Sequence, residues 1–247
     1  MDHKLSLDRM ADTLQHLGHY WEAKRKATAG QSDWLSPGSN LFTIALSREA
    51  GTPGTAIGHE VGTRLGWPAY DHELLERIAK DMGVHTRLLE SVDERRVSWL
   101  LEAFEALIMP TPYASEGAYV RRLVKTVLAL GSHGECVIVG RGSAFILPAE
   151  TTLRARLIAP RKDRVAAIRQ RLGVSQKKAA RQLRLLDRER NIFVQDHFFK
   201  DPADPQYYDL ILNVARYGVA GCAELIVDAL KLLQRRDMAR AASQGCT

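Results

Sequence analysis

The stretch Thr43-Ile44-Ala45-Leu46-Ser47-Arg48-Glu49-Ala50-Gly51-Thr52-Pro53-Gly54-Thr55-Ala56-Ile57-Gly58 decides how this chain is organised. Its first half lies in LFTIALS (41–47), an apolar run of strand length. Its second half is punctuated by glycine and proline and leads into the helical pattern AIGHEVGTRLG. Strand, glycine loop and helix in that order can build a phosphate cradle. The glycines let several N–H groups turn inward, and the helix adds the positive end of its dipole. On the residues alone an ordinary strand-to-helix turn reads equally well, because the pattern GxxxxGK[ST] is not met and Thr55 stands where its lysine is expected. Losing that lysine removes a charge-assisted contact of roughly 1.5–3 kcal/mol, less than several amides and a dipole supply together. Arg48 either restores the charge or pairs with Glu49 and solvent.

Outward from this stretch, a short strand is expected at 67–70, followed by a helical run from Asp71 to Met82. Helical patterns at about 86–108 and 117–132 flank the break Pro110-Thr111-Pro112. CVIVG (136–140) reads as a buried parallel strand, and LRARLIA (153–159) as another whose arginines alternate with apolar residues. From Pro160 to about Phe198 the chain is helical and basic, broken at Gly173-Val174-Ser175, where Ser175 can cap the second helix. YDLILNV (208–214) is the last strand, and a helix over about 219–233 closes the pattern. The expected division is a helical extension and linker over 1–40, an α/β domain over 41–235 with a basic helical lid at about 160–200, and a flexible tail over 236–247. Five strands separated by helices call for a doubly wound parallel sheet that binds ligands at the carboxyl ends of its strands. Ser47, Asp71, Gly140-Arg141-Gly142, Arg161 and Asn213 all fall there.

The 247 residues, 45% of them hydrophobic, suit one α/β domain with an appended subdomain. Thirty-five Lys and Arg against 29 acids give +6, which favours anionic partners. Cys136, Cys222 and Cys246 form no CxxC pair, so neither a disulfide framework nor a zinc site is indicated. The eight histidines form no HxxxH or HExxH pattern, and no metal ligand is assigned. The charged start and the absence of any run of 18 apolar residues point to a soluble, cytoplasmic protein without membrane contact.

Arg141, between two glycines at a strand end, is placed either to fork onto a phosphate or to sit on a loop surface. Asp71 is a candidate acceptor for a base or ribose group, a helix cap, or both. Of Arg161, Arg164, Arg169, Arg171, Arg181, Arg184, Arg188 and Arg190, most are expected on a solvated face. Two or three of them would close over nucleotide phosphates. Asp187 and Arg190 are an i,i+3 pair in which the carboxylate can orient the guanidinium. The shortage of aromatic residues among these arginines argues against stacking on nucleic-acid bases.

The segments TIALSREAGTPGTAIG, WPAYDHELL, CVIVGRGSAFIL, LLDRERNIFV and YYDLILNV, in this order, resemble the cytidylate kinase-like family over about Leu41 to Leu233. The resemblance implies the P-loop nucleoside-monophosphate-kinase fold, a three-layer α/β sandwich with sheet order 2-3-1-4-5, a helical monophosphate-binding insertion and a basic lid. It implies Mg²⁺ and ATP as the donor and a nucleoside monophosphate, CMP or dCMP, as the acceptor. It places Gly51, Gly54 and Thr55 in the ATP loop, with Ser47, Arg48 and Thr52 beside them as nucleotide-binding candidates. Asp71, Arg141 and Asp187 become acceptor-binding candidates, and Arg141, Arg188 and Arg190 catalytic ones. This sequence departs from cytidylate kinases proper in lacking the loop lysine and in carrying GRG for GRD. A non-catalytic nucleotide sensor is the competing expectation.

Overall fold

The structure, a computed structural model, describes residues 41–80, Thr86, Leu88, Leu89 and 114–244. The expectations for residues 1–40 and for most of the helical pattern at 86–108 lie outside those residues. The described residues fall into two compact units, one within 42–72 and 135–244 and the other within 73–134 together with Leu41.

The first of these units carries the sheet. Its strands are β1 (Thr43–Arg48), β2 (Ala69–Tyr70), β3 (Val137–Val139), β4 (Thr152–Ile158) and β5 (Leu210–Asn213). All pair in parallel in the order β2-β3-β1-β4-β5, the order the resemblance implied. Every stretch expected to be a strand is one. Continuous apolar composition marks strands covered on both faces, and Ile44, Leu46, Val137, Val139, Leu153, Ala155 and Leu157 are all buried.

Helix α1 (Gly54–Leu65) follows the glycine loop and lays Ile57 and Val61 on these strands. Gly66 ends it in the left-handed conformation. Helix α2 (His72–Lys80) begins after β2, and α3 (Ala114–His133) covers the expected 117–132 pattern. Both bury apolar residues of the second unit, among them Leu75, Ile78, Leu123 and Val127. A short α4 (Ser143–Ile146) follows β3, and α5 (Arg161–Leu172) and α6 (Gln176–Phe198) form the basic pair after β4. Ser175 caps α6 as expected, accepting from the Lys178 amide at 3.4 Å. Val165, Ile168, Ala179 and Leu183 pack between α5 and α6 together with Ala50 of the glycine loop.

The last helix, α7 (Val214–Gln244), kinks at Gly218 and runs on past Leu233, where the apolar pattern placed its end. The residues beyond, including Met238-Ala239-Arg240, are good helix formers and need no buried face to continue it. Cys222, Ile226 and Leu230 of α7 complete the core on the α1 side of the sheet. Among the described residues no helix is long and apolar enough to cross a membrane.

Candidate functional site

Along β1 the side chains alternate: Ile44 and Leu46 enter the core shared with α1, and Ser47 faces the other way. Arg48 is therefore directed back toward α1. Its Cδ lies 2.5 Å from where a Cβ at Gly54 would sit, and its guanidinium fills the place a Cβ at Gly140 would take. The side chain thus crosses the loop from the start of α1 to the end of β3, through space left open by two glycines. Its Nη2 is 3.3 Å from His72 Nδ1. A guanidinium only donates, so Nδ1 accepts and the ring proton resides on Nε2. The sequence pattern set the missing lysine against Thr55, yet the position opening onto Arg48 is Gly54, the first residue of α1, because a helical Cβ tilts toward the N-terminus.

A cavity of about 500 Å³ opens at the carboxyl ends of β1, β3 and β4, with α6 forming one wall. Arg48, Arg141 and Arg190 converge on it. Burial lowers the Arg48 pKa to about 10, reinforced by the Arg190 and Arg141 charges and opposed by Asp71. Burial likewise lowers Arg141. Burial lowers Arg190 too; Asp187 opposes this, while Arg171, Arg141 and Arg164 add to it. Guanidinium groups that lower one another's pKa around one cavity concentrate positive charge there, which is the electrostatic requirement for a polyanion site.

The loop is fastened to the basic helices by a charged clamp. Arg164 Nη1 donates to Asp187 Oδ2 at 2.7 Å and to the Ala50 carbonyl at 3.3 Å, while its Nε meets Glu49 Oε2 at 3.2 Å. Asp187 Oδ1 accepts the Ala50 amide at 2.9 Å, and Glu49 Oε2 accepts that of Ala159 at 3.1 Å. Arg190 Nη1 adds a bond to the Arg48 carbonyl at 3.2 Å. Gly51 completes the fit, since its φ of +81° is left-handed and a Cβ would lie 2.7 Å from the Arg164 carbonyl oxygen.

Arg164 is 11% exposed, and its two carboxylates are 25% and 30% exposed. Removing one partner of a fully buried ion pair costs about 3–5 kcal/mol, and partial solvation reduces that here to roughly 2 kcal/mol. Arg164→Leu is accordingly expected to lower the melting temperature by about 5 °C. Arg169→Leu, on the exposed face of α5, should leave it nearly unchanged, and equal effects in thermal denaturation would remove the clamp from the account.

Of the residues singled out in the sequence, Ser47, Arg48, Arg141, Asp187 and Arg190 line the cavity. Gly51, Thr52, Gly54 and Thr55 lie in the loop beside it and are not part of the wall. Within the loop the Ala50 amide is committed to Asp187 and that of Thr52 faces the Glu49 carbonyl at 3.4 Å. No side chain caps α1. Asp71 is close enough to Arg48 to favour its charge. Arg188 is on the exposed side of α6, as are Arg181 and Arg184. Of the eight arginines on the basic pair, Arg164 and Arg190 are the ones turned inward to the loop.

Arg156 was not singled out in the sequence, and Arg164 was named only as one of eight basic-helix arginines. Arg164 carries no local signal that separates it from its neighbours. Arg156 did: an arginine alternating with apolar residues in a central strand must face something other than the core, and it lines the cavity. Among the described residues no group of three His, Cys, Asp or Glu side chains is arranged to hold a metal.

The profile of the cytidylate kinase-like family matches residues 43–216. The chain is similar in structure to an uncharacterized protein from Eubacterium ventriosum, with TM-score 0.60 and 21% identity, covering 77% of this chain and 98% of that one. A shikimate kinase from Bacteroides thetaiotaomicron aligns with TM-score 0.45 and 13% identity, over 77% and 98% of the two chains. Among curated proteins, a uronate isomerase from Corynebacterium glutamicum is 29% identical over 116 residues, 47% of this chain, and the chain spans about a fifth (22%) of that protein's length.

Proposed function

Since this chain belongs to the cytidylate kinase-like family, we propose that it transfers the ATP γ-phosphoryl group to a nucleoside monophosphate, CMP or dCMP, in the cytoplasm. The observation that carries this reading is the convergence of Arg48, Arg141 and Arg190 on one cavity at the carboxyl edge of the sheet. Phosphoryl transfer needs little covalent help from a protein. It needs in-line positioning and positive charge around the equatorial oxygens, and planar guanidinium groups supply both.

The residues present fit a polyphosphate, because clustered guanidinium groups that lower one another's pKa gain from an anion placed among them. Magnesium in kinase sites keeps several waters and binds largely through phosphate oxygens, so a dedicated set of protein ligands is not required for it. When bound, Mg²⁺-ATP supplies the phosphoryl group and a counter-ion for its charge. In this reading the chain's own groups take the following roles. Arg48 neutralises charge beside the start of α1, and Arg141 and Arg190 hold the transferring group from the β3 and α6 sides. Asp71 accepts a hydrogen bond from the acceptor's base or ribose. Arg188 acts as a second lid arginine once α6 closes, and Gly51 to Thr55 present the backbone of the donor site.

A non-catalytic nucleotide sensor is the second reading, favoured by the commitment of the Ala50 amide to Asp187. Coupled ADP release measured across all nucleoside monophosphates with Mg²⁺ separates the two. Acceptor-dependent turnover is expected, highest with CMP or dCMP. Stabilisation by nucleotide without turnover on any acceptor would leave the sensor in its place.

A further inference from the structure

Arg156 is the most buried arginine of the cavity, 9% exposed, and sits at the second-last position but one of β4 in register with Ser47 of β1. The neighbours Ala155 and Leu157 point into the core shared with α1, so Arg156 projects from the opposite face of the sheet. Its Nη1 donates to Ser47 Oγ at 3.2 Å and to the Tyr208 hydroxyl at 3.3 Å, and its Cζ lies 5.5 Å from the centre of the Tyr208 ring. Tyr208 is itself tethered by donating its hydroxyl proton to the Pro202 carbonyl at 2.9 Å. Among the described residues, Nε and Nη2 have no protein acceptor and no carboxylate pairs with the guanidinium.

A largely buried cation whose protein partners are two hydroxyl groups and a ring costs the folded chain stability, and its two remaining nitrogens open onto the cavity and not onto protein. An apolar residue of similar length at a central strand position would pack there without that penalty. The guanidinium is explained if something negative completes it. We propose that Arg156, with Ser47 and Tyr208, forms an oxyanion subsite that holds the phosphate monoester of the acceptor. Nε and Nη2 form a planar fork suited to two oxygens of one phosphate, while Ser47 Oγ and the Tyr208 hydroxyl hold the third nitrogen, Nη1, and so orient that fork. The subsite makes Arg156 a substrate-positioning residue that separates monophosphates from nucleosides. The acceptor identity rests on the kinase reading above; the oxyanion subsite does not.

Thermal denaturation of the full chain tests this directly, using Arg156→Met and Arg156→Lys with CMP, cytidine, inorganic phosphate and citrate as probes. Without any probe, Arg156→Met is expected to melt about 3 °C higher than the parent, because a largely buried charge with no carboxylate partner is gone. The parent should be stabilised by CMP and by phosphate but not by cytidine, and Arg156→Met should lose at least ~10-fold in affinity for both. Arg156→Lys should melt like the parent and bind phosphate at an intermediate strength, having the charge without the fork. An Arg156→Met protein that melts lower or fails to fold makes the arginine a structural element and overturns the proposal. So does equal stabilisation of parent and Arg156→Met by CMP, or stabilisation of the parent by citrate alone. If the parent shows the expected pattern while no acceptor supports ADP release, the kinase reading fails and the subsite stands.

Discussion

Arg48→Ala is expected to weaken ATP binding by about 10–100-fold, and Gly54→Lys to weaken it comparably, whereas the two changes together should recover most of the loss. The expectation follows from the space the two residues share. The methylenes of Arg48 lie 2.5 Å from the Cβ that any residue but glycine would carry at 54. Arg48→Ala removes the loop's cation and empties that space. Gly54→Lys alone drives the Arg48 side chain off its seat against Gly140 and His72, and sets two cations in competition. In the combined variant the space is vacated and refilled from the other side by an ammonium group. Calorimetric titration with ATP reads all four proteins. If the double variant is no better than the worse single one, Arg48 is a packing element of the loop and its charge is incidental. Thr55→Lys offers no such rescue, since position 55 does not open onto the Arg48 seat.

Arg141→Gly is expected to lower phosphoryl transfer by ~10³-fold while leaving the fold as stable as before or more so, by up to about 1 kcal/mol. Three successive residues, Gly140 at φ 86°, Arg141 at 51° and Gly142 at 72°, are left-handed. Two of them are glycines and adopt this freely, but the arginine is strained by it. The turn aims Arg141 into the cavity, with its Cζ 5.8 Å from the centre of the Phe193 ring on α6. Replacement by glycine relieves the backbone and deletes the guanidinium, so activity and stability should move in opposite directions. Arg141→Ala loses the same charge but keeps the strain, and should match the glycine variant in turnover without the gain in stability. A glycine variant that is both inactive and markedly less stable would mean that the turn is held by the arginine's contacts.

Most of the architecture is legible in local patterns. LFTIALS, CVIVG and LRARLIA are strands because β-branched and aliphatic runs of that length satisfy a covered parallel sheet, and YDLILNV is the partly exposed edge strand. Gly173 and Ser175 mark the turn between α5 and α6 because one tolerates the left-handed conformation and the other caps. Arg141 is legible for the same reason, being fixed at a strand end by glycines on either side. The end of α7 is less so, because a solvent-exposed helix carries no apolar period to mark where it stops.

What the sequence determined by itself is the order of strands and helices, the glycine loop after β1 and the surplus of arginine, since these depend on residues close together in the chain. Which arginines matter was decided by the tertiary structure. Arg48 lies across Gly54 and Gly140, Arg164 binds Glu49 and Asp187, and Arg156 meets Ser47 and Tyr208, partners up to 109 residues apart among the hydrogen bonds of Arg156. A guanidinium can be solvated, clamped or aimed at a ligand at the same local cost in backbone conformation. The choice among those states is made by burial and by the charges around it, and neither exists before the sheet brings the strand ends together.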